Sequence, residues 1–533
     1  MTSDPVASAR EAFARHDWRA ARDGLARSRL TLTTSELELL SEACWWLGDV
    51  PEATAVSEEV YERLAAGGEP LRAADRALRV GMLWATRGDI TLATAWLKRA
   101  DGLLATQPPS VVHGYAIYLA ASSDLAVSGL GDEAEQAAGH LLGLAGRLGD
   151  RSLLVFAQTL RGMAAVLRGE LRGFDDLDQA MLPVISGHVD AMWGGDIYCT
   201  VIHLCEELGD LPRMRAWTDA LAHWARPLSE TFVYAGVTRL HQLQLLRAEG
   251  DWDTVETELG GLSEGLVGAH GWLAGAGFYE LGEVHRLRGR PDEARRCYVR
   301  ARSLGIEPQP GEAQLLHAGG RSGEAMEALR IALAGETPLR RARLLTATVA
   351  IALAAGERDW ACQLATELAA TAAHFGTPGL RADADTTRAR VLLAQERAAD
   401  AVPLLQRAAQ SYRVQRHQHA GALVHELLAQ ALRSLGQELA AEASLATARA
   451  IHARLGATAE LDRLAAASRP GGLTSREIDV LVEVARGGTN RDVATALAIS
   501  DKTVSRHLES VYTKLGVSTR TAAAAWAREH GLV

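Results

Sequence analysis

The chain has 533 residues, 48% of them hydrophobic and 23% charged, with a formal net charge of -10. That length exceeds what one hydrophobic core serves, and the balance of apolar and charged residues excludes a disordered chain. Aromatics are sparse at 5%, and the abundance of Ala and Leu favours helix over strand.

The opening "MTSDPVASAREAF" has no basic patch leading into an apolar core, so no signal peptide is expected. No apolar run approaches the roughly 18 residues of a membrane span. The five scattered cysteines, Cys44, Cys199, Cys205, Cys297 and Cys362, read as reduced, buried thiols. Together these features predict a cytoplasmic protein that does not engage a membrane.

Through residues 1–465 one phrase recurs: an Ala/Leu-rich helical stretch, a Gly-Asp or close variant, then a second helical stretch. The markers begin at Gly48, Gly88, Gly131, Gly169, Gly209, Gly250, Gly289, Gly320, Gly356 and Gly436. Most lie about 40 residues apart, a spacing of helical-hairpin repeats. Glycine suits the left-handed C-cap and the acid suits the next helix N-terminus. Trp18, Trp252 and Trp360 open second helices and are expected to wedge between paired helices. The clearest unit, 278–308, places Phe278, Leu281, Gly282, Ala294, Tyr298 and Ala301 where a tetratricopeptide repeat puts its large and small packing residues. It resembles that family closely here and loosely elsewhere. A superhelix of about eleven helical pairs with a concave binding face is expected.

Periodicity fades at "AAASRPGG", and residues 466–472 are expected to form a linker. A different domain, 473–533, follows with four helix starts. Thr474 to Glu477 and Thr489 to Asp492 have capping-box spacing, and Ser500 and Ser518 are expected to cap the third and fourth helices. The short gap "AIS" between the second and third helices has helix-turn-helix geometry. Val504, Leu508, Val511 and Leu515 form the inward stripe of the third helix. Lys502, Ser505, Arg506, Glu509 and Lys514 remain outside it. The protein has three lysines, and two of them are in this helix. From Pro470 onward eight Lys/Arg face seven Asp/Glu, so the preceding repeats carry all of the net negative charge. DNA should repel them. They are also candidates to hold the basic helix shut until a signal arrives.

In order and spacing, "LTSRE", "TNRDVA", "LAIS", "KTV", His507, "KLGV" and Arg520 with its following alanines make 473–532 similar to the DNA-binding domain of LuxR-type regulators. The resemblance implies an all-α protein: a tetratricopeptide-like helical superhelix followed by a small four-helix LuxR-type helix-turn-helix domain. It implies promoter DNA as partner, contact with RNA polymerase, and a homodimer on DNA paired through the small face "TAAAAWA" of the last helix. Those alanines would alternatively pack on the domain's own core. The expected DNA-binding residues are Arg491, Lys502, Thr503, Ser505, Arg506, Glu509, Lys514 and Arg520. Arg506 is expected to read a base, and Arg491, Lys502, Thr503 and Lys514 to grip phosphates. Ser505 stands where the family usually has lysine, with the charge moved to Arg506, and Glu509 is either a cytosine acceptor or a solvated side chain. The target sequence therefore does not carry over by analogy.

No enzyme is expected. A phosphate-binding loop needs glycines before Lys-Ser/Thr, and Lys98, the remaining lysine, has none. "HELLA" at His425 has Ala429 where a zinc site needs its second histidine. Cys199, His203 and Cys205 lack a fourth ligand, and no cofactor is expected. The repeats are expected to bind a protein, peptide or small-molecule effector. The competing expectation is a non-enzymatic protein–protein interaction scaffold with only weak non-specific DNA affinity.

Overall fold

The computed structural model describes residues 5–128, 131–226, 233–467 and 470–533. Among these it contains 29 α-helices, two 3-10 turns and no strand. No helix is long and apolar enough to cross a membrane among the described residues. The chain forms two compact units. One comprises residues up to Arg286 and Arg290–Ile451, the other Leu287–Gly289 and His452–Val533.

Twenty-four helices begin in the first unit, one pair more than the sequence suggested. Its turns follow the recurring chemistry. Gly88 (φ 96°) ends the helix Pro70–Arg87 in the left-handed region, where glycine avoids the Cβ clash. Asp89 then caps Ile90–Leu104 by accepting from the Leu92 N–H at 2.9 Å. Asp49, Asp210 and Asp251 accept from Glu52, Arg213 and Thr254 in the same way. The Gly131 marker is different: Gly131 opens the helix Gly131–Leu148, and a Cβ there would lie 3.0 Å from the Ala164 carbonyl oxygen. It is a close helix contact, not a C-cap.

Trp252 is buried and donates its Nε1–H to the Arg247 carbonyl at 2.9 Å. Trp18 stacks on Trp46 with ring centroids 5.0 Å apart, and Arg330 lies over the Trp360 ring at 4.7 Å. In the 278–308 unit, Ala294, Tyr298 and Ala301 are fully buried, and a Cβ on Gly282 would meet Tyr298 Cε1 at 2.6 Å. The small residue makes room for the large one, as its place in the repeat requires.

A simple repeat array touches only its neighbours, but this unit makes contacts across long sequence separations. The Thr377 hydroxyl donates to the Leu208 carbonyl at 2.5 Å, 169 residues away. A Cβ on Gly209 would lie 3.2 Å from the Gly379 Cα, and a Cβ on Gly379 would overlap the Gly209 carbonyl oxygen. Arg416 pairs with Glu249 at 3.6 Å and Arg79 with Asp190 at 3.3 Å. Distant helix pairs thus pack directly, and the backbones approach so closely that only glycine fits.

Gly379→Ala is expected to destabilise the first unit by about 1–3 kcal/mol, because backbone atoms must move to admit the methyl. Gly139→Ala, in a helix interior with open space around it, should stabilise by about 0.5–1 kcal/mol. Calorimetric unfolding of the two variants should therefore shift in opposite directions.

Candidate nucleic-acid interface

We label the last four helices of the second unit α1 (Ser475–Ala485), α2 (Asn490–Ala496), α3 (Asp501–Leu515) and α4 (Arg520–Glu529). Thr474 and Thr489 form full capping boxes with Glu477 and Asp492, and Ser500 accepts from the Thr503 N–H at 3.1 Å. The fourth cap is Thr519, one residue beyond the expected Ser518, accepting from the Ala522 N–H at 3.1 Å. Between α2 and α3 the turn is closed by Ile499 N–H to Ala494 O at 3.0 Å, with Ala498 at φ 52°.

Two apolar clusters hold the helices. Val480, Val484, Val493, Val504 and Leu508 join α1, α2 and α3. Leu481, Ala485, Val511, Ala523, Ala524 and Ala527 join α1, α3 and α4. Three of the α4 alanines therefore pack on the domain's own core, while Ala525 is exposed. Trp526 is half-buried and stacks on His530 at 4.0 Å. Within the segment expected as linker, 470–472 form a 3-10 turn, and a Cβ on Gly471 would come within 2.9 Å of the Trp526 ring. Residues 468–469 lie outside the described residues.

The packing sorts the basic side chains. Arg528 donates to the Ala485 carbonyl at 2.7 Å, Arg476 to Leu497 O, and Arg486 to Glu483 at 2.7 Å. Arg520 donates to the Asn490 side-chain oxygen at 2.8 Å and to Gly488 O. Asn490 in turn donates to the Ser505 hydroxyl at 3.2 Å, and that hydroxyl donates to Asp501 O at 3.1 Å. Lys514 pairs with Glu477 at 2.7 Å. Arg520 and Lys514 thus fasten the domain, and Ser505 is tied to the start of α2.

Arg491, Lys502 and Arg506 are exposed and held by no ion pair among the described residues. In the first unit, by contrast, arginines are repeatedly paired, as in Arg161–Asp176, Arg239–Glu258 and Arg341–Glu367. On the 3.6-residue period, Lys502, Arg506, Glu509 and Thr513 face away from Val504, Leu508 and Val511. Glu509 is exposed and Thr503 half-buried. The Asn490 bond sets the first turn of α2, which carries Arg491, against the middle of α3.

Glu477 is the residue whose importance the sequence understated. Beyond its cap role, its carboxylate accepts from the Ser510 hydroxyl at 2.6 Å, the Thr474 N–H at 2.6 Å and Lys514 Nζ at 2.7 Å. Burial alone would raise its pKa. Lys514, Ser510 and Thr474 outweigh burial and hold it at about 2. Asn490 was also missed, because a polar residue in a cap region gives no sign of a partner fifteen residues on. Outside this domain, His203 pairs with Glu206 and Glu207, at 3.5 and 3.6 Å. Burial pushes the Cys199 and Cys205 thiols well up.

Residues 472–527 match the family model described as "Bacterial regulatory proteins, luxR family". The same region is 48% identical over 60 residues to the uncharacterized transcriptional regulatory protein YhcZ of Bacillus subtilis, covering 11% of this chain and 28% of that protein. It is 43% identical over 61 residues to the transcriptional regulatory protein LiaR of Bacillus subtilis, and 39% identical over 61 residues to the response regulator protein VraR of Staphylococcus aureus, in each case 11% of this chain and 29% of the relative. The chain thus spans less than a third of the length of these relatives. A chain of the "Crystal structure of APC/C hetero-tetramer Cut9-Hcn1" aligns over 98% of this chain and 94% of its own length, at 14% identity and a TM-score of 0.42. The second unit carries a LuxR-family domain, as the ordered motifs of 473–532 suggested.

Glu477→Gln is expected to lower hydrogen-exchange protection of the α1 and α3 amides at pH 7 by roughly 10–100-fold, since a hydrogen bond to a charged group contributes about 1.5–3 kcal/mol. The folded pKa lies below the ordinary 4.5. The Glu477 contribution is therefore full above pH 4.5 and is lost as pH falls toward about 2. The difference between wild type and variant should shrink over that window.

Proposed function

We propose that the protein is a DNA-binding transcription regulator that docks α3 in the major groove of promoter DNA. The observation that carries this reading is the set of exposed cations, Arg491, Lys502 and Arg506, with no ion pair among the described residues, on a LuxR-family helix-turn-helix. Arg506 has the planar fork for bidentate contact with guanine. Lys502 and Arg491 supply phosphate contacts, and Thr503, near the α3 N-terminus, adds a hydroxyl. Ser505 and Glu509 flank the reading position and bias the choice of base. Lys514 has two N–H donors beyond the one given to Glu477 and can share them with a phosphate. Arg520 acts by holding α2 against α4.

In this reading residues 473–533 bind DNA, 466–472 link, and 1–465 bind a protein, peptide or small-molecule effector. The protein works in the cytoplasm without catalysis, contacts RNA polymerase at the promoter, and binds DNA as a homodimer. The names of the relatives YhcZ, LiaR and VraR support the regulatory role.

Selection of bound genomic fragments, followed by gel shifts at two salt concentrations, tests the reading. Arg506→Ala should lose about 1–3 kcal/mol of sequence discrimination. Lys502→Ala should weaken all sequences alike and reduce the salt slope by about one. Undiminished selectivity in Arg506→Ala would remove Arg506 from base readout. No selective binding by wild type, with or without cell extract, would favour an interaction scaffold.

A further inference from the structure

We infer that the first unit has a binding site for an amphipathic organic cation, an ammonium head with a short apolar tail, in a two-lobed cavity divided by His203, Glu207 and Arg340. This inference rests on the reading of the repeats as an effector-binding unit and names the site and the ligand chemistry. The lobes have volumes of about 590 and 500 Å³, and these three residues line both. Either is large enough for part of a small organic ligand, for which pockets of about 300–1,000 Å³ are usual.

The lobes differ in chemistry. Six carboxylates line the larger one, Glu206, Glu207, Glu280, Glu307, Glu312 and Glu336, against three guanidinium groups, Arg302, Arg340 and Arg343. Glu280 is already paired with Arg247, outside the lining, and burial raises its pKa, which leaves five carboxylates to answer. His203 adds a fourth positive charge. Burial works against its protonation, but the Glu206 and Glu207 carboxylates hold its pKa up at about 9. Glu206 in turn is held at about 2, since His203 and Arg343 outweigh its burial. The lining therefore carries more negative than positive charge at neutral pH.

Several of its ion pairs are long. Arg340 stands 3.7 Å from both Glu207 and Glu336, and Arg343 stands 3.8 Å from Glu206. These lie outside hydrogen-bond distance, so the carboxylates keep acceptor capacity toward the cavity. Glu206 and Glu207 also end the helix Ala191–Glu207, where the helix dipole disfavours negative charge. An incoming cation offsets both effects. Trp272 and Tyr279 line the same lobe, and aromatic rings attract ammonium groups through cation–π interaction.

The smaller lobe is walled by Met163, Leu167, Leu204, Leu339 and Phe375. A chain of several methylenes buried there is drawn out of water, and each methylene adds to the affinity. An anionic head would face the excess carboxylates, and a neutral one would leave them unanswered. Charge and apolar surface together select a cation with a tail.

Calorimetric titration of the full chain without DNA tests this, with hexyltrimethylammonium, tetramethylammonium, hexanoate and 1-hexanol as probes. Hexyltrimethylammonium should bind at one saturable site at least tenfold more tightly than the other three. Glu207→Gln and Glu336→Gln should each weaken it at least threefold, and the pair at least tenfold. Ala370 lines the smaller lobe and is otherwise exposed. Ala370→Phe fills that space without disturbing the core, and should bring hexyltrimethylammonium down to the affinity of tetramethylammonium. The proposal is overturned if hexanoate or hexanol binds as tightly as the cation. It is also overturned if the folded Ala370→Phe and Glu336→Gln variants bind as wild type does, or if no probe saturates. Such a failure with selective DNA binding intact removes this site and leaves the regulator reading standing. Loss of DNA selectivity with probe binding intact does the reverse.

Discussion

A carboxylate taken out of water must be answered by donors, and at Glu477 the three donors come from two separate helices of the chain. The Thr474 amide belongs to the start of α1, while Ser510 and Lys514 belong to the second half of α3. The carboxylate thus fixes how α3 lies against α1. Everything the outer face of α3 presents depends on that orientation, because Arg506 and Lys502 point outward only while Val504, Leu508 and Val511 point inward. The apolar clusters fill the space, and the charged contact fixes where along α3 the helices meet.

The same economy governs the other basic residues. A guanidinium has several donors in a fixed fork, so one arginine can hold two elements together. Arg520 does this through Asn490 and Gly488, and Arg528 through Ala485. With those contacts satisfied internally, the positive charge left for an external partner is concentrated at Arg491, Lys502 and Arg506. The departure at Ser505 then has a structural side. Its hydroxyl bonds Asn490 and Asp501, a short-range role that a lysine in the same place could not fill.

The first unit meets a different constraint. Packing helix pairs some 170 residues apart forces backbones together at Gly209 and Gly379 and brings charged helix ends near one another. Those ends, Glu206 and Glu207 on one side and Arg340 and Arg343 on the other, give the larger pocket part of its polar lining. Local periodicity shows where helices pair and turn, because caps and C-cap glycines act over three or four residues. It carries no sign of which distant turns will touch. Gly209 was legible as a C-cap, but its close approach to Gly379 was not.

The sequence by itself determined the helical class, the hairpin punctuation, most of the helix caps and the LuxR-type pattern of the last sixty residues. All of these are written in local spacing, and the physics behind them, capping bonds, helix periodicity and glycine's freedom at positive φ, is local too. Only the tertiary structure decided which basic residues are used up inside the domain and which are left outside. It also decided that Glu477 is a junction as well as a cap, that Asn490 links α2 to α3, and that His203, Glu207 and Arg340 line two adjoining pockets of the repeats. Those outcomes depend on side chains from distant parts of the chain meeting in space, where the donors of one element satisfy the acceptors of another. No short stretch of sequence contains both halves of such a contact.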